Sequence, residues 1–349
     1  MPRDGTAELQ VGCLTEAEDV QWDAFVKARP DATFFHLSGW KAVIEEAFGH
    51  RCHYLFARQA QQIVGILPLT HVRGRIFGNS LLSNAFCVYG GPVAINDGAY
   101  AALDAAAIEL ARELGVERIE YRLRQSLHQD WHCKRDFYVT FRKEIASDPD
   151  KALLAIPRKQ RAMIRKGMNH GLKEVIERDS RRLYALYAES VRNLGTPVIS
   201  RRYFECLMSV FSKESEVLTV MSGAQPLASV LSFFFRNEVL PYYGGGTSVA
   251  RQYAANDFMY WAVMRRACEA GVRIFDFGRS KVGTGSYAFK THWGFEPEPL
   301  CYEHLLMRLG KVPDINPLNP KYAMVIAIWK RLPLRIANTL GPLIARELA

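Results

Sequence analysis

The chain has 349 residues, 49% of them hydrophobic and 23% charged, an ordinary globular composition with room for one large or two medium domains. Its formal net charge of +9 suits an anionic partner, whether phosphate, nucleotide, RNA or an acidic membrane surface. No apolar run approaches the ~20 residues of a spanning helix, "MPRDGTAELQ" lacks the apolar core of a secretion signal, and seven scattered cysteines without CxxC spacing read as reduced thiols of a cytoplasmic protein.

In chain order, "LSGWKAVIEEAFG" (37–49) reads as a helix. "FARQAQQIVGILPL" (56–69) reads as a hairpin turning at Ala60-Gln61-Gln62. After "VYGG" (88–91), a helix is predicted from Tyr100 to Leu114, ended by Gly115, with a strand at Ile119 to Leu123. "HQDWHC" sets His128 and His132 four apart beside Cys133; no fourth ligand follows, so surface histidines are expected and no metal.

The next segment, "IPRKQRAMIRKGMNHGLKEV", holds six basic residues before its first acid, Glu174. Arg158, Arg161 and Arg165 at i, i+3 and i+7 share one helix face. Guanidinium forks there suit phosphate, and a solvated charged face is the alternative.

The earlier pattern then returns. "SRRYFECLMSVFS" (200–212), "VMSGAQPLASVLSF" (220–233), "YYGG" (242–245) and "ACEAGVRIFDFG" (267–278) match the first helix, the hairpin, "VYGG" and "ARELGVERIEYR" (111–122) in the same order, at separations of 154 to 164 residues. Four ordered matches indicate duplication of a helix, hairpin, strand, helix, strand unit, a mixed α/β layer. In the second copy Asn256 or Asp257 is expected to cap a helix that Gly271 ends.

"RKQRAMIRKG", "YAANDFMYWAVMRRACEAGVRIFDFGRS" and "GSYAFKTHWGFEPEP" together resemble the FemAB-type transferases, closest to those associated with PEP-CTERM/exosortase and exopolysaccharide systems. The resemblance covers about residues 30 to 346 and implies an α/β fold of two tandem GNAT-like acyltransferase domains. The expected ranges are 1–150 for a supporting domain that walls the acceptor cleft, 151–310 for a catalytic domain, and 311–349 for an amphipathic helical tail. It implies acyl or aminoacyl transfer to a cell-envelope or exopolysaccharide precursor, by direct transfer in a ternary complex; the alternative of another class is a non-catalytic RNA- or membrane-binding scaffold on the same fold. No cofactor is held permanently; the polyanionic donor is acyl-CoA or aminoacyl-tRNA.

Lys290 matches the lysine of the family motif, which implies a donor anchor or a charge that stabilises the tetrahedral intermediate. Arg279 and Lys281 follow a strand end, where ligands collect in open α/β sheets. Asp276 alternates with Phe275 and Phe277, and reads as a base or as a satisfied buried acid. Tyr287 offers a proton or hydrogen bond, and Trp293 a stacking face or core packing. Tyr243 precedes glycines 244 to 246, which allow close backbone approach or a bulge. A CoA-binding GNAT carries R/Q-x-x-G-x-G/A before its helix, but "RQYAANDF" places Ala254 and Asn256 at the glycines. Asn256 is read as a cap that also touches substrate. Trp40 is assigned to the acceptor wall.

The tail sets Val325, Ile328, Trp329, Leu332 and Ile336 at helical spacing, with Lys330, Arg331 and Arg335 off that stripe. Two readings stand: an interfacial helix on the inner face of an anionic membrane, or a helix docked on the domain.

Overall fold

The computed structural model describes residues 8–74, 78–135, 137–308 and 322–348. The elements begin with β1 (Gln10–Cys13), α1 (Asp19–Ala28), α2 (Gly39–Phe48), β2 (Arg51–Gln59), β3 (Gln62–Arg73), β4 (Asn79–Ser83) and β5 (Val93–Ala94). α3 (Asp97–Glu113), β6 (Arg118–Leu123), β7 (His132–Lys134), β8 (Tyr138–Thr140), β9 (Arg142–Glu144), α4 (Pro149–Ala155) and α5 (Arg158–Asn169) follow. Next come β10 (Lys173–Glu177), α6 (Arg181–Leu194), α7 (Arg201–Val210), β11 (Ser215–Ser222), β12 (Gln225–Phe235) and β13 (Glu238–Gly246). The chain ends with α8 (Ala255–Glu269), β14 (Ile274–Asp276), β15 (Ser280–Lys281), α9 (Gly285–His292), β16 (Glu298–Pro299), β17 (Cys301–Leu306), α10 (Ala323–Arg331) and α11 (Leu334–Ala345).

These elements fall into two compact units. One holds α1 to α3, β1 to β7 and, from far along the chain, β17; the other holds β8 to β16 and α4 to α11. The expected division at 150, 310 and 349 is corrected accordingly. β8 and β9 belong with the second unit and β17 with the first, because their hydrogen-bonded neighbours lie there.

The first sheet runs β1-β2-β3-β4-β6-β17-β7, and the second runs β10-β11-β12-β13-β14-β9. Both contain the same motif. An antiparallel hairpin (β2–β3, β11–β12) is extended by an antiparallel strand (β4, β13); a helix (α3, α8) then crosses to a parallel strand (β6, β14). Both crossover helices finish at left-handed glycines, Gly115 and Gly271, as the repeat predicts. The match of "VYGG" to "YYGG" does not survive. Tyr89 lies outside regular structure while Tyr243 is inside β13, so the true counterpart of β13 is β4. The repeat also exchanges strands: β6 pairs antiparallel with β17, and β14 with β9.

The first core packs the inward residues of α3, Leu103, Ala107 and Ala111, on Ile119, Tyr121 and Leu123 of β6. Strict alternation sends Arg118, Glu120 and Arg122 to the opposite face. In the second unit α8 is buried on most sides, and Phe275, Phe277, Trp293 and Phe295 join its core. Phe277 meets Phe275, Trp293 and Phe295 edge-to-face with centroids 4.8, 5.8 and 4.7 Å apart, geometry worth ~0.5–1.5 kcal/mol per pair beyond area burial.

Cys133 and Cys301 form a disulfide, with Cα atoms 5.7 Å apart, which corrects the expectation that all seven thiols are reduced. They are 168 residues apart in sequence and carry no spacing signal; pairing of β7 with β17 brings them together. Cys13, Cys52, Cys87, Cys206 and Cys268 remain thiols. Among the described residues no helix is long and apolar enough to cross a membrane.

Candidate active site

The two sheets differ where their parallel strands meet. In the first unit β4 and β6 pair from Ser80–Arg118 through Ser83–Tyr121. In the second, β13 and β14 pair only at Glu238–Ile274 and Val239–Phe275. β13 then runs on to Gly246, while the chain beyond β14 stays with the β9 side, the Phe277 amide donating to the Phe141 carbonyl. Strands that part at their carboxyl ends leave backbone groups open to a ligand.

The parted strand is shaped by its residues. A register shift opposite Leu231 and Ser232 bulges β13 at Tyr242, and Tyr243 donates to or accepts from Tyr203 through their hydroxyls, 3.0 Å apart. The glycine run has a packing cause at Gly245: a Cβ there would stand 2.6 Å from the Tyr187 Cα of α6, so only glycine admits that helix.

α8 is capped at its start by Ala254, whose φ of +54° is left-handed. The alanine at the family's glycine position therefore still takes the conformation for which glycine is favoured. Asn256 lies inside the first helical turn rather than at the cap. Its side-chain oxygen would be 3.1 Å from a Cβ on Gly246, which places it between the end of β13 and the start of α8.

α5 packs beside this turn. Gln160 donates to Asp257 at 2.8 Å, the rings of His170 and Tyr253 are 5.2 Å apart, and a Cβ on Gly167 would sit 3.5 Å from the Ala254 carbonyl. Of the predicted arginines, Arg161 donates to the Leu154 and Ile156 carbonyls and so closes the end of α4. Arg158 and Arg165 are exposed, as are Lys159 and Lys166. None of these four forms an ion pair among the described residues. The outer face of α5 is thus an uncompensated cationic surface beside the start of α8.

The stretch after β14 is pinned from two sides. Asp276 is fully buried, accepts from the Gly278 amide at 2.7 Å, and lies 3.2 Å from Arg142 Nε. The same arginine also pairs with Glu238. Lys290 on α9 donates to the carbonyls of Gly278 and Arg279 at 2.8 and 3.1 Å. Burial lowers the Lys290 pKa to about 7; Asp276 opposes the shift and Arg279 adds to it. The carboxylate holds the amide of one peptide while the ammonium holds two carbonyls, so both fix the turn that presents Arg279. The Arg279 guanidinium lies 4.4 Å over the Tyr138 ring, and the Lys281 ammonium 4.8 Å from the Phe137 ring centre. Tyr287 packs edge-on against Phe141.

One open reading is decided and one assignment is corrected. Trp293 is 1% exposed and donates through Nε1 to Asp257 at 3.2 Å; its ring is core and cannot stack on a ligand. Trp40 is fully buried and donates to the Phe34 carbonyl, so it holds the first core rather than lining a wall. Asp276 is the satisfied buried acid of the two readings, held by Arg142 and an amide.

In the sequence Asp257 reads only as a helix cap. It is buried, takes hydrogen bonds from Trp293 and Gln160, and burial raises its pKa against those bonds. Both hydrogen bonds fall on Oδ1 of this carboxyl at the start of α8.

His128 donates to Glu303 at 2.8 Å and to Asp104 at 3.0 Å and stacks on Trp131, which commits both ring nitrogens. His132 lies separately on β7.

Residues 158–291 match the acetyltransferase (GNAT) domain family. Among solved structures the chain is similar to FemX, at 16% identity and a TM-score of 0.66, covering 91% of this chain and 100% of that one. It is also similar to a tandem GNAT protein from the clavulanic acid biosynthesis pathway, at 15% identity and a TM-score of 0.56, over 87% of this chain and 100% of that one. A third likeness, at 15% identity and a TM-score of 0.55, is to the C-terminal domain of a putative lysylphosphatidylglycerol synthetase from Agrobacterium fabrum, over 83% of this chain and 92% of that one. No curated protein matches the sequence. Topology and likeness agree that the chain is a mixed α/β protein of two tandem GNAT-fold units, with the matched acetyltransferase domain lying within the second.

Proposed function

We propose that the protein is an acyltransferase whose second unit binds an acyl-CoA donor. The carrying observation is the early parting of β13 from β14, beside a left-handed turn into α8. That opening lies in the segment matched to the acetyltransferase family, and the first unit keeps its strands paired. In this reading the donor phosphates lie at the turn and first amides of α8, with the basic face of α5 alongside. The acceptor amine or hydroxyl attacks the thioester carbonyl. A new C–N or C–O bond forms, the C–S bond breaks, the acceptor proton passes to Asp257, and the departing thiolate takes up a proton to leave as CoA thiol. Lys290 acts through the 278–279 turn it holds.

The finer assignment, a FemAB-type enzyme acting on a cell-envelope or exopolysaccharide precursor, rests on the sequence resemblance and on the FemX-like fold. Aminoacyl-tRNA is the second donor reading, favoured by the unpaired cationic face of α5. Calorimetric titration of the full chain with CoA separates the two. Binding that weakens at least tenfold in R158Q/R165Q/K166Q, with unchanged folding, supports the CoA reading. No CoA binding, together with product formation from charged tRNA that RNase abolishes, supports the other.

A further inference from the structure

The tail helices have two apolar sides. One is turned inward: Trp329, Ala337, Gly341 and Ala345 are buried, and α10 and α11 both pack on α6. Arg192 of α6 donates to the Lys330 and Leu332 carbonyls at 3.3 Å each, which holds the break between the helices at Pro333 in place. Gly341 is set so close that a Cβ would stand 2.8 Å from Val198. The docked reading of the tail is therefore correct for this side.

The other side is exposed among the described residues. Met324, Val325 and Ile328 on α10 are 73, 58 and 56% exposed, and Ile336, Leu340 and Leu343 on α11 are 46, 43 and 62% exposed. A docked helix ordinarily turns polar groups to water, and six large apolar side chains on two consecutive helices reverse that pattern. The polar exposed residues of the same helices are mainly cationic: Lys330 and Arg331 at the end of α10, Arg335 and Arg346 at the two ends of α11. From Ile315 to Arg346 the sequence has no acid at all.

We propose that α10 and α11 form a docking face for an anionic lipid surface, lying in the plane of the headgroups with Met324, Val325, Ile328, Ile336, Leu340 and Leu343 entering the acyl boundary. The charge selects this occupant. A second copy of the chain would oppose like charges at a face without acids, whereas phospholipid phosphates complement it. Helices of nine and twelve residues fall well short of the ~20 needed to span, so the contact is interfacial. This inference is independent of the transfer chemistry.

The test uses the full chain with V325S/I328S/L340S/L343S. These positions are exposed, so the fold is expected to persist, as an unchanged thermal midpoint checks. Flotation is measured with vesicles of phosphatidylcholine alone and with one-third phosphatidylglycerol. The expected result is recovery with anionic vesicles that falls at least tenfold in the variant, falls again in high salt, and is weak on neutral vesicles. Equal recovery of variant and wild type overturns the proposal. So does a wild-type dimer in solution that the substitutions dissociate, since a second copy then covers the face.

Discussion

At the scale of single residues, Ala254 and Lys290 carry the most information. Ala254 holds a left-handed φ that favours glycine. Ala254→Gly is expected to stabilise the chain by ~0.5–1 kcal/mol, relief of Cβ strain exceeding glycine's added unfolded-state entropy; chemical denaturation measures it, with Ala254→Val expected to destabilise. Lys290→Ala removes two hydrogen bonds that fix the Gly278 and Arg279 carbonyls. It is expected to lower kcat/KM for transfer at least tenfold, and full activity in steady-state assays would dismiss its positioning role. Lys290 could be picked out in the sequence because a motif carries it. Its carbonyl partners could not, since they depend on α9 folding back twelve residues. Trp40 is misassigned and Trp293 keeps two readings in the sequence for a related reason: an indole looks the same there whether it faces a ligand or a core, and burial alone separates the cases. The role proposed for Asp257 is not legible in the sequence because a carboxyl at a helix start reads first as a cap.

At the scale of elements, the duplication was legible because hairpins and glycine-ended helices leave local marks. "FARQAQQIVGILPL" became β2–β3 and "VMSGAQPLASVLSF" became most of β11–β12. The exchange of β9 and β17 left no mark. Strands of three and six residues choose partners by register and tertiary packing rather than by local propensity. The disulfide followed those strands and was equally invisible. The loop after β6 is tied by His128, which joins Asp104 of α3 to Glu303 of β17. Burial opposes the imidazolium, yet hydrogen bonds to both carboxylates raise its pKa to about 9. With a folded pKa above the unfolded value of ~6.5, its contribution is full below that pH and is lost as pH rises through 9. Wild type is thus expected to lose about 1–2 kcal/mol between pH 6.5 and 9.5, discounted for partial exposure. Denaturation midpoints across that range should flatten in His128→Gln; a slope unchanged in the variant would assign the dependence elsewhere.

At the scale of the whole molecule, the cationic excess resolves into distinct places. Part of it forms the unpaired face of α5 beside the start of α8, and part is exposed at the ends of α10 and α11. The sequence showed both segments as basic but not which of their charges would be spent internally, as Arg161 is on the α4 carbonyls. Under the proposed function the two GNAT-fold units divide the labour: the second, whose parallel strands part early, takes the donor, while the first keeps its strands paired at the equivalent position. Hydrogen–deuterium exchange of the full chain with and without CoA tests this most directly. The expected result is slowed exchange at residues 242–257 and 277–281, with none at 79–83 or 118–123. Unchanged exchange in the second unit, or protection centred on β4 and β6, would contradict it.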